Sequence, residues 1–250
     1  MFQACKTGNL DKLIELKKYN VSTDLSLANK SGFTPMHLAA KYNHLHIIEW
    51  LNNNGAAQDV TIEENIFKRT PLFTACQLNY LNIVSWLFIH GAAEDISKSD
   101  INGITPMYIA CQNNNIEICQ FIYDHGGSKD INRPDSSGFT PMLAACQDGH
   151  INIVKWIFEH DESDGIDGVK NCISRGCNMG WTPMFVACQG GYLELIQWLH
   201  DNGGKSDLFI RVKDGQTCWD IVNFKNFTDC IKQLREYNGH IIPHSNYFLH

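Results

Sequence analysis

The chain has 250 residues, 44% of them apolar and 19% charged, which is enough to bury a core and too apolar for a chain disordered by composition. Its formal net charge is −7 and its Lys and Arg are scattered, the wrong sign for a sequence-independent grip on nucleic acid or an anionic membrane surface. No stretch approaches the roughly 18 consecutive apolar residues that mark a spanning helix, so neither nucleic-acid binding nor membrane insertion is expected.

The first elements are short. Residues 1–29 open on Phe2-Gln3-Ala4-Cys5, carry charges throughout the first 18 positions and have no apolar core of signal-peptide length. Ten cysteines without such a signal point to free thiols in a reducing compartment, and a cytoplasmic location is expected. From residue 30 the chain repeats itself. "TPMHLAA" (34–40) is followed by "TPLFTACQ" (70–77), "TPMYIACQ" (105–112), "TPMLAACQ" (140–147), "TPMFVACQ" (182–189) and a variant Thr217-Cys218. The Thr-to-Thr intervals are 36, 35, 35, 42 and 35 residues. The opening segment matches Phe73-Thr74-Ala75-Cys76, so seven units are expected: 1–29, 30–65, 66–100, 101–135, 136–177, 178–212 and 213–238, followed by a non-repeat tail, 239–250.

Each unit carries its own punctuation. Thr is a good N-cap and Pro suits the first helical position, so each Thr-Pro starts a helix. That helix stops near Asn79-Tyr80, Asp148-Gly149 or Gly190-Gly191. A second helix follows, with apolar residues at helical spacing (Ile83, Val84, Trp86, Leu87; Ile153, Val154, Trp156, Ile157), closed by Gly55, Gly91, Gly126 or Gly203. A polar turn with Gly32, Gly103, Gly138, Gly180 or Gly215 near its tip leads to the next Thr-Pro. A helix–turn–helix of this size cannot bury its apolar face alone, so the units must stack.

These motifs resemble the ankyrin repeat, whose period near 33 and Thr-Pro-Leu-His-x-Ala core "TPMHLAA" matches almost letter for letter. The other units look like a longer-period variant, with Phe73, Tyr108, Leu143 and Phe185 at the His position. The resemblance spans residues 1–238 and implies an all-α solenoid of about seven helix–turn–helix units joined by β-hairpin-like loops, a single repeat domain. Three departures stand out. Lys68 occupies a tip where the others have Gly, so that turn is expected to be rebuilt. Asp161 replaces the closing Gly of its unit, and the loop 161–177 is seven residues longer than its neighbour. The tail does not match the repeat.

Cys76, Cys111, Cys146 and Cys188 share one repeat position. Stacked helices lie about 8–10 Å apart, too far for equivalent cysteines to pair or to share a zinc, so they are read as packing. "VACQG" (186–190) and "QACK" (3–6) fail the Gln-Ala-Cys-x-Gly signature of a caspase-type nucleophile. His90, His125 and His160 fall at second-helix ends, where a partly protonated imidazole suits the helix dipole. Trp50, Trp86, Phe121, Trp156 and Trp198 share one second-helix position and are read as a core column. Cys172 and Cys177, with His240, His244 and His250, are a weak zinc pattern, and no phosphate-binding glycine loop occurs. No catalytic residue, metal or cofactor is expected.

What the resemblance implies instead is protein binding, through hairpin tips and first-helix ends that line a concave groove. Carried over by register, the partner-binding positions are Phe33, Lys41, Tyr42, Arg69, Gln77, Leu78, Ile104, Gln112, Asn113, Phe139, Gln147, Asp148, Trp181 and Gln189. Trp181, Phe139, Gln147 and Gln189, with the 161–177 loop, are expected to form the main patch for a protein or peptide partner. The alternative is a structural subunit of a larger assembly, cytoskeletal or ciliary, docking through its ends and tail.

Overall fold

A computed structural model describes residues 1–19, 24–162 and 171–238. The tail 239–250 and the middle of the 161–177 loop lie outside the described residues. The chain divides into two compact units, Met1–Ser136 and Ser137–His250. The described residues form helices and turns and no strand.

In Met1–Ser136 the first helices are α1 (Phe2–Thr7), α3 (Pro35–Lys41), α5 (Pro71–Gln77) and α7 (Pro106–Gln112), and the second helices are α2 (Leu10–Lys18), α4 (Leu45–Leu51), α6 (Leu81–Leu87) and α8 (Ile116–Ile122). The first helices pack side by side in the order α1, α3, α5, α7. In Ser137–His250 the first helices are α9 (Pro141–Gln147), α12 (Pro183–Gly190) and α14 (Cys218–Phe224), packed in that order. Their partners are α10 (Ile151–His160), α13 (Leu193–Asp201) and α15 (Thr228–Asn238), and the short α11 (Asn171–Ser174) lies in the long connection.

The caps are where the sequence puts them. The hydroxyls of Thr34, Thr70, Thr105, Thr140, Thr182 and Thr217 accept the N–H three residues on, at 3.1–3.4 Å. First helices end on left-handed residues: Asn43, Asn79, Asn114 and Asn226, or Gly8, Gly149 and Gly191. A first helix has a neighbour on each side and its own second helix beneath it. From Pro35 to Ala40, Pro71 to Cys76 and Pro183 to Cys188 every residue is therefore buried. Second helices bury one face only, such as Ile47, Ile48 and Leu51 on α4.

Three expectations need correction or completion. The Trp column is not core. Trp156 is buried, but Trp50, Trp86, Phe121 and Trp198 are half-exposed on the outer side of the second helices. The histidine ladder is a set of helix-end hydrogen bonds. His90, His125 and His160 each donate Nδ1–H to the carbonyl of the aromatic four residues back (Trp86, Phe121, Trp156) at 2.7–2.8 Å, stacking on that ring. A carbonyl only accepts, so the proton must sit on Nδ1. Asn54 and Asn202 make the same bond to Trp50 and Trp198, which shows that a neutral donor suffices. Finally, Asp161 does not close α10 as glycine would. Its backbone is extended and its buried carboxylate accepts Cys172 N–H at 3.2 Å, pinning the returning chain.

The tips are closed turns, and one turn differs. The backbone bonds Asn29 N–H to Phe33 O, Asp100 to Ile104, Cys177 to Trp181 and Val212 to Gln216 each enclose a tip of the same length. In the third unit Glu64 N–H reaches Arg69 O, one residue further. The turn is rebuilt as expected, yet Lys68 still adopts the left-handed conformation (φ 62°) that glycine takes elsewhere. Adjacent tips are joined by single backbone bonds: Asn65 N–H to Ser31 O, Ile101 to Phe67 and Ser136 to Asn102 in the first unit; Asn178 to Ser137 and Lys213 to Met179 in the second.

Candidate partner-binding surface

Burial decides which side chains can meet a partner. On α3, α5, α7 and α9 the last residue is the one left outside the core: Lys41 and Gln147 are exposed, Gln77 and Gln112 half-buried. On α12 the corresponding Gln189 is half-buried and Gly190 exposed. The next residues along, Tyr42, Leu78, Asn113 and Asp148, are exposed. The residues before the caps (Phe33, Arg69, Ile104, Phe139 and Trp181) are half-buried. Each unit of the chain thus offers its own set of these positions.

In Met1–Ser136 two of the set, Phe33 and Arg69, are engaged within the fold. Phe33 meets the edge of His37, whose Nδ1 faces the Thr34 cap and whose Nε2 lies 3.2 Å from Arg69 O. Burial pushes the His37 pKa down to about 4, against the opposing pull of the Arg69 carbonyl and of Glu64. The Arg69 guanidinium holds Asp100 Oδ2 through Nε at 3.1 Å and Nη2 at 2.9 Å, and lies over the rings of Phe67 and Phe73. Its charge is therefore neutralised by a fully buried carboxylate.

In Ser137–His250 the corresponding residues are aromatic. Phe139 and Trp181 meet edge to face at 6.1 Å, and Trp181 leans on the buried Phe185 at 6.0 Å. Gln147 ends α9, and Gln189 is the next-to-last residue of the adjacent α12. Tyr192 donates its hydroxyl to Gln147 O at 3.3 Å, bracing that end. Of the expected patch, these four are described. From the loop, Cys172, Ile173 and Cys177 are buried beside them in sequence, and residues 163–170 lie outside the description.

The repeat-position thiols are poor nucleophiles. All ten cysteines are free and buried. Desolvation raises the pKa of Cys76, Cys111 and Cys146; for Cys188 the hydrogen bond with Cys218 comes first and desolvation second. No disulfide joins the equivalent cysteines. A contact the sequence reading missed arises within one unit, where Cys119 replaces the Ile or Val of other second helices and its Sγ lies 3.6 Å from that of Cys111. Among the described residues no three His, Cys, Asp or Glu side chains converge as a metal site. No described helix is long and apolar enough to cross a membrane.

Comparison with known proteins agrees with the repeat register. A family model described as ankyrin repeats in three copies matches residues 1–100 and 91–167, and the single ankyrin repeat model matches residues 179–213. A curated relative, the Ankyrin repeat-containing protein ITN1 of Arabidopsis thaliana, is 36% identical over 61 residues. That match covers 24% of this chain and spans 10% of the length of that protein.

Proposed function

The chain belongs to the ankyrin repeat family, whose repeats form protein–protein interaction modules, and on that premise we propose that it binds a protein or peptide partner in the cytoplasm. The proposed contacts are the first-helix ends and pre-cap residues of each unit, strongest at Phe139, Gln147, Trp181 and Gln189. The family is typically non-catalytic, and the four repeat-position thiols, buried and with raised pKa values, are poor nucleophiles.

The observation that carries the proposal is the burial pattern. Beside helices otherwise buried along their length, the exposed or half-buried positions are the helix ends, Gln in four of five (Lys41 in the other), and the residues before the caps, aromatic at Phe33, Phe139 and Trp181. Aromatic anchors beside adaptable amides are what interface hot spots are made of. These positions carry little net charge, since Arg69 is neutralised and Lys41 and Asp148 lie in different units. Binding here should depend weakly on salt.

Affinity purification of the full chain from its native source identifies the partner. Its affinity is then measured for wild type and Trp181→Ala, with folding checked by circular dichroism. A loss of about tenfold or more is expected for a truncated aromatic anchor; unchanged affinity in a folded variant would discard the patch.

A further inference from the structure

The repeat at 101–135 departs from the others at one core position. Where other second helices carry Leu13, Ile48, Val84, Val154 and Ile196, α8 carries Cys119. An aliphatic side chain fills that position elsewhere, so packing alone does not call for a thiol. The change brings two sulfurs together. Cys119 Sγ lies 3.6 Å from Cys111 Sγ on α7, and both residues are fully buried. The same register pairs Ala40 with Ile48, Cys76 with Val84, Cys146 with Val154 and Cys188 with Ile196, so these repeats have no second sulfur to offer.

The turn between the two helices holds this contact in place. Asn114 N–H donates to Cys111 O at 3.3 Å and Asn115 N–H to Ala110 O at 2.9 Å. The Asn115 side chain donates to Cys76 O at 2.9 Å, tying the turn to α5. Cys76 borders the pair: burial first and the neighbouring Cys119 second raise its pKa. Burial and then the hydrogen bond to Cys119 also push the Cys111 thiol up, so Cys111 is not the sulfur that starts a reaction. It can finish one, because a sulfur already in contact reacts as though at very high concentration.

From a thiol that packing does not explain, set against a second thiol across a fixed turn, we infer that Cys111 and Cys119 are a redox latch, closed as a disulfide by hydrogen peroxide. Cys119 Sγ loses its proton and attacks one peroxide oxygen. The O–O bond breaks, leaving a sulfenic acid on Cys119 and one water. Cys111 Sγ then attacks that sulfur, the S–O bond breaks, and hydroxide leaves with the Cys111 proton as a second water. The two thiols lose two electrons and the peroxide gains them. Because both sulfurs are buried, oxidant reaches them through local opening of the repeat, and the finished bond is equally shielded from reducing thiols. The latch is therefore slow to close and slow to reopen.

The test exposes the full, folded chain to hydrogen peroxide near neutral pH until the exposed Met179 is converted to its sulfoxide. Remaining thiols are alkylated with N-ethylmaleimide in urea, and the chain is digested with trypsin without reduction. Cys111 and Cys119 share one tryptic peptide, residues 99–129, which holds no other cysteine. The bond therefore appears as that peptide unalkylated and two hydrogens lighter, restored by dithiothreitol. We expect at least about tenfold more of it than of any other disulfide, since contact sets the effective concentration. The oxidised chain should melt about 5 °C higher. Cys119→Val and Cys111→Ala install residues that Val84 and Ala40 already place at those positions; both should fold and leave the remaining thiol free to alkylate. A 99–129 peptide alkylated on both cysteines after the exposure would overturn the inference. So would a bond from Cys76 to either sulfur, or between Cys188 and Cys218, which also meet, forming ahead of it. A bond that needs urea during oxidation, or an oxidised chain that melts lower than the reduced one, would overturn it too.

Discussion

Met1–Ser136 and Ser137–His250 use the same helices and join their tips by different means. In the first, the Asn29, Glu64 and Asp100 side chains each accept turn N–H groups, the last two as buried carboxylates, and Arg69 of one tip clamps Asp100 of the next. In the second, Cys177 and Val212 stand at the corresponding turn positions, and Phe139 and Trp181 meet instead. A polar tie needs every partner present, because an unpaired buried charge costs far more than the pair contributes. An aromatic contact degrades gradually. The first unit should therefore be brittle to single substitutions at its tips and the second tolerant.

The largest effect expected from that contrast is Arg69→Ala. Asp100 would keep two backbone N–H donors and lose its cation in a site with no exposure, a loss of about 3 kcal/mol. Native-state hydrogen exchange should show protection falling across Met1–Ser136, with amides of Ser137–His250 little changed; equal loss in both would erase the distinction.

Acid should separate the units next. His37, with its pKa lowered to about 4, contributes stability present above the ordinary 6.5 and lost as pH falls through 4. The first unit should lose roughly 2–3 kcal/mol over that window. Asp207 in the second unit, and Asp95 in the first, behave oppositely. Desolvation raises both pKa values to about 6, partly offset for Asp207 by the hydroxyls of Ser174 and Thr182. Their contribution is full below pH 3.8 and lost as pH rises through 6. Hydrogen exchange at pH 7 and 5 should thus show the second unit gaining protection on acidification and the first gaining less or losing. In His37→Leu the first unit should follow the second, and in Asp207→Asn the second should become flat with pH.

The smallest effect tests what the units share. His90→Ala should cost about 0.5–1.5 kcal/mol, the net worth of a hydrogen bond, in urea denaturation. His90→Asn should recover most of it, since Asn54 already makes that bond. Failure of asparagine to rescue would restore a role for imidazole stacking or charge.

Much of this was legible beforehand because local chemistry suffices for it. Thr-Pro, Asn or Gly after the first helix, and Gly after the second are short-range signals, each read by the backbone within three or four residues. The candidate positions could be named for the same reason, as the register carries them. Their environments could not. That Arg69 is spent on Asp100 while Gln147 stays exposed depends on residues 31 positions away or on the neighbour across the stack.

By itself the sequence determined the helix starts and stops and the apolar faces, because caps, left-handed stops and periodicity are properties of single turns. The tertiary structure alone decided which face of the second helices lies outward, so that the tryptophan column is half-exposed. It also decided that Lys68 keeps the left-handed backbone, held there by Glu64 and the bond from Ile101 to Phe67. Both outcomes follow from contacts between repeats, and a periodic pattern describes each repeat without saying what its neighbour will cover.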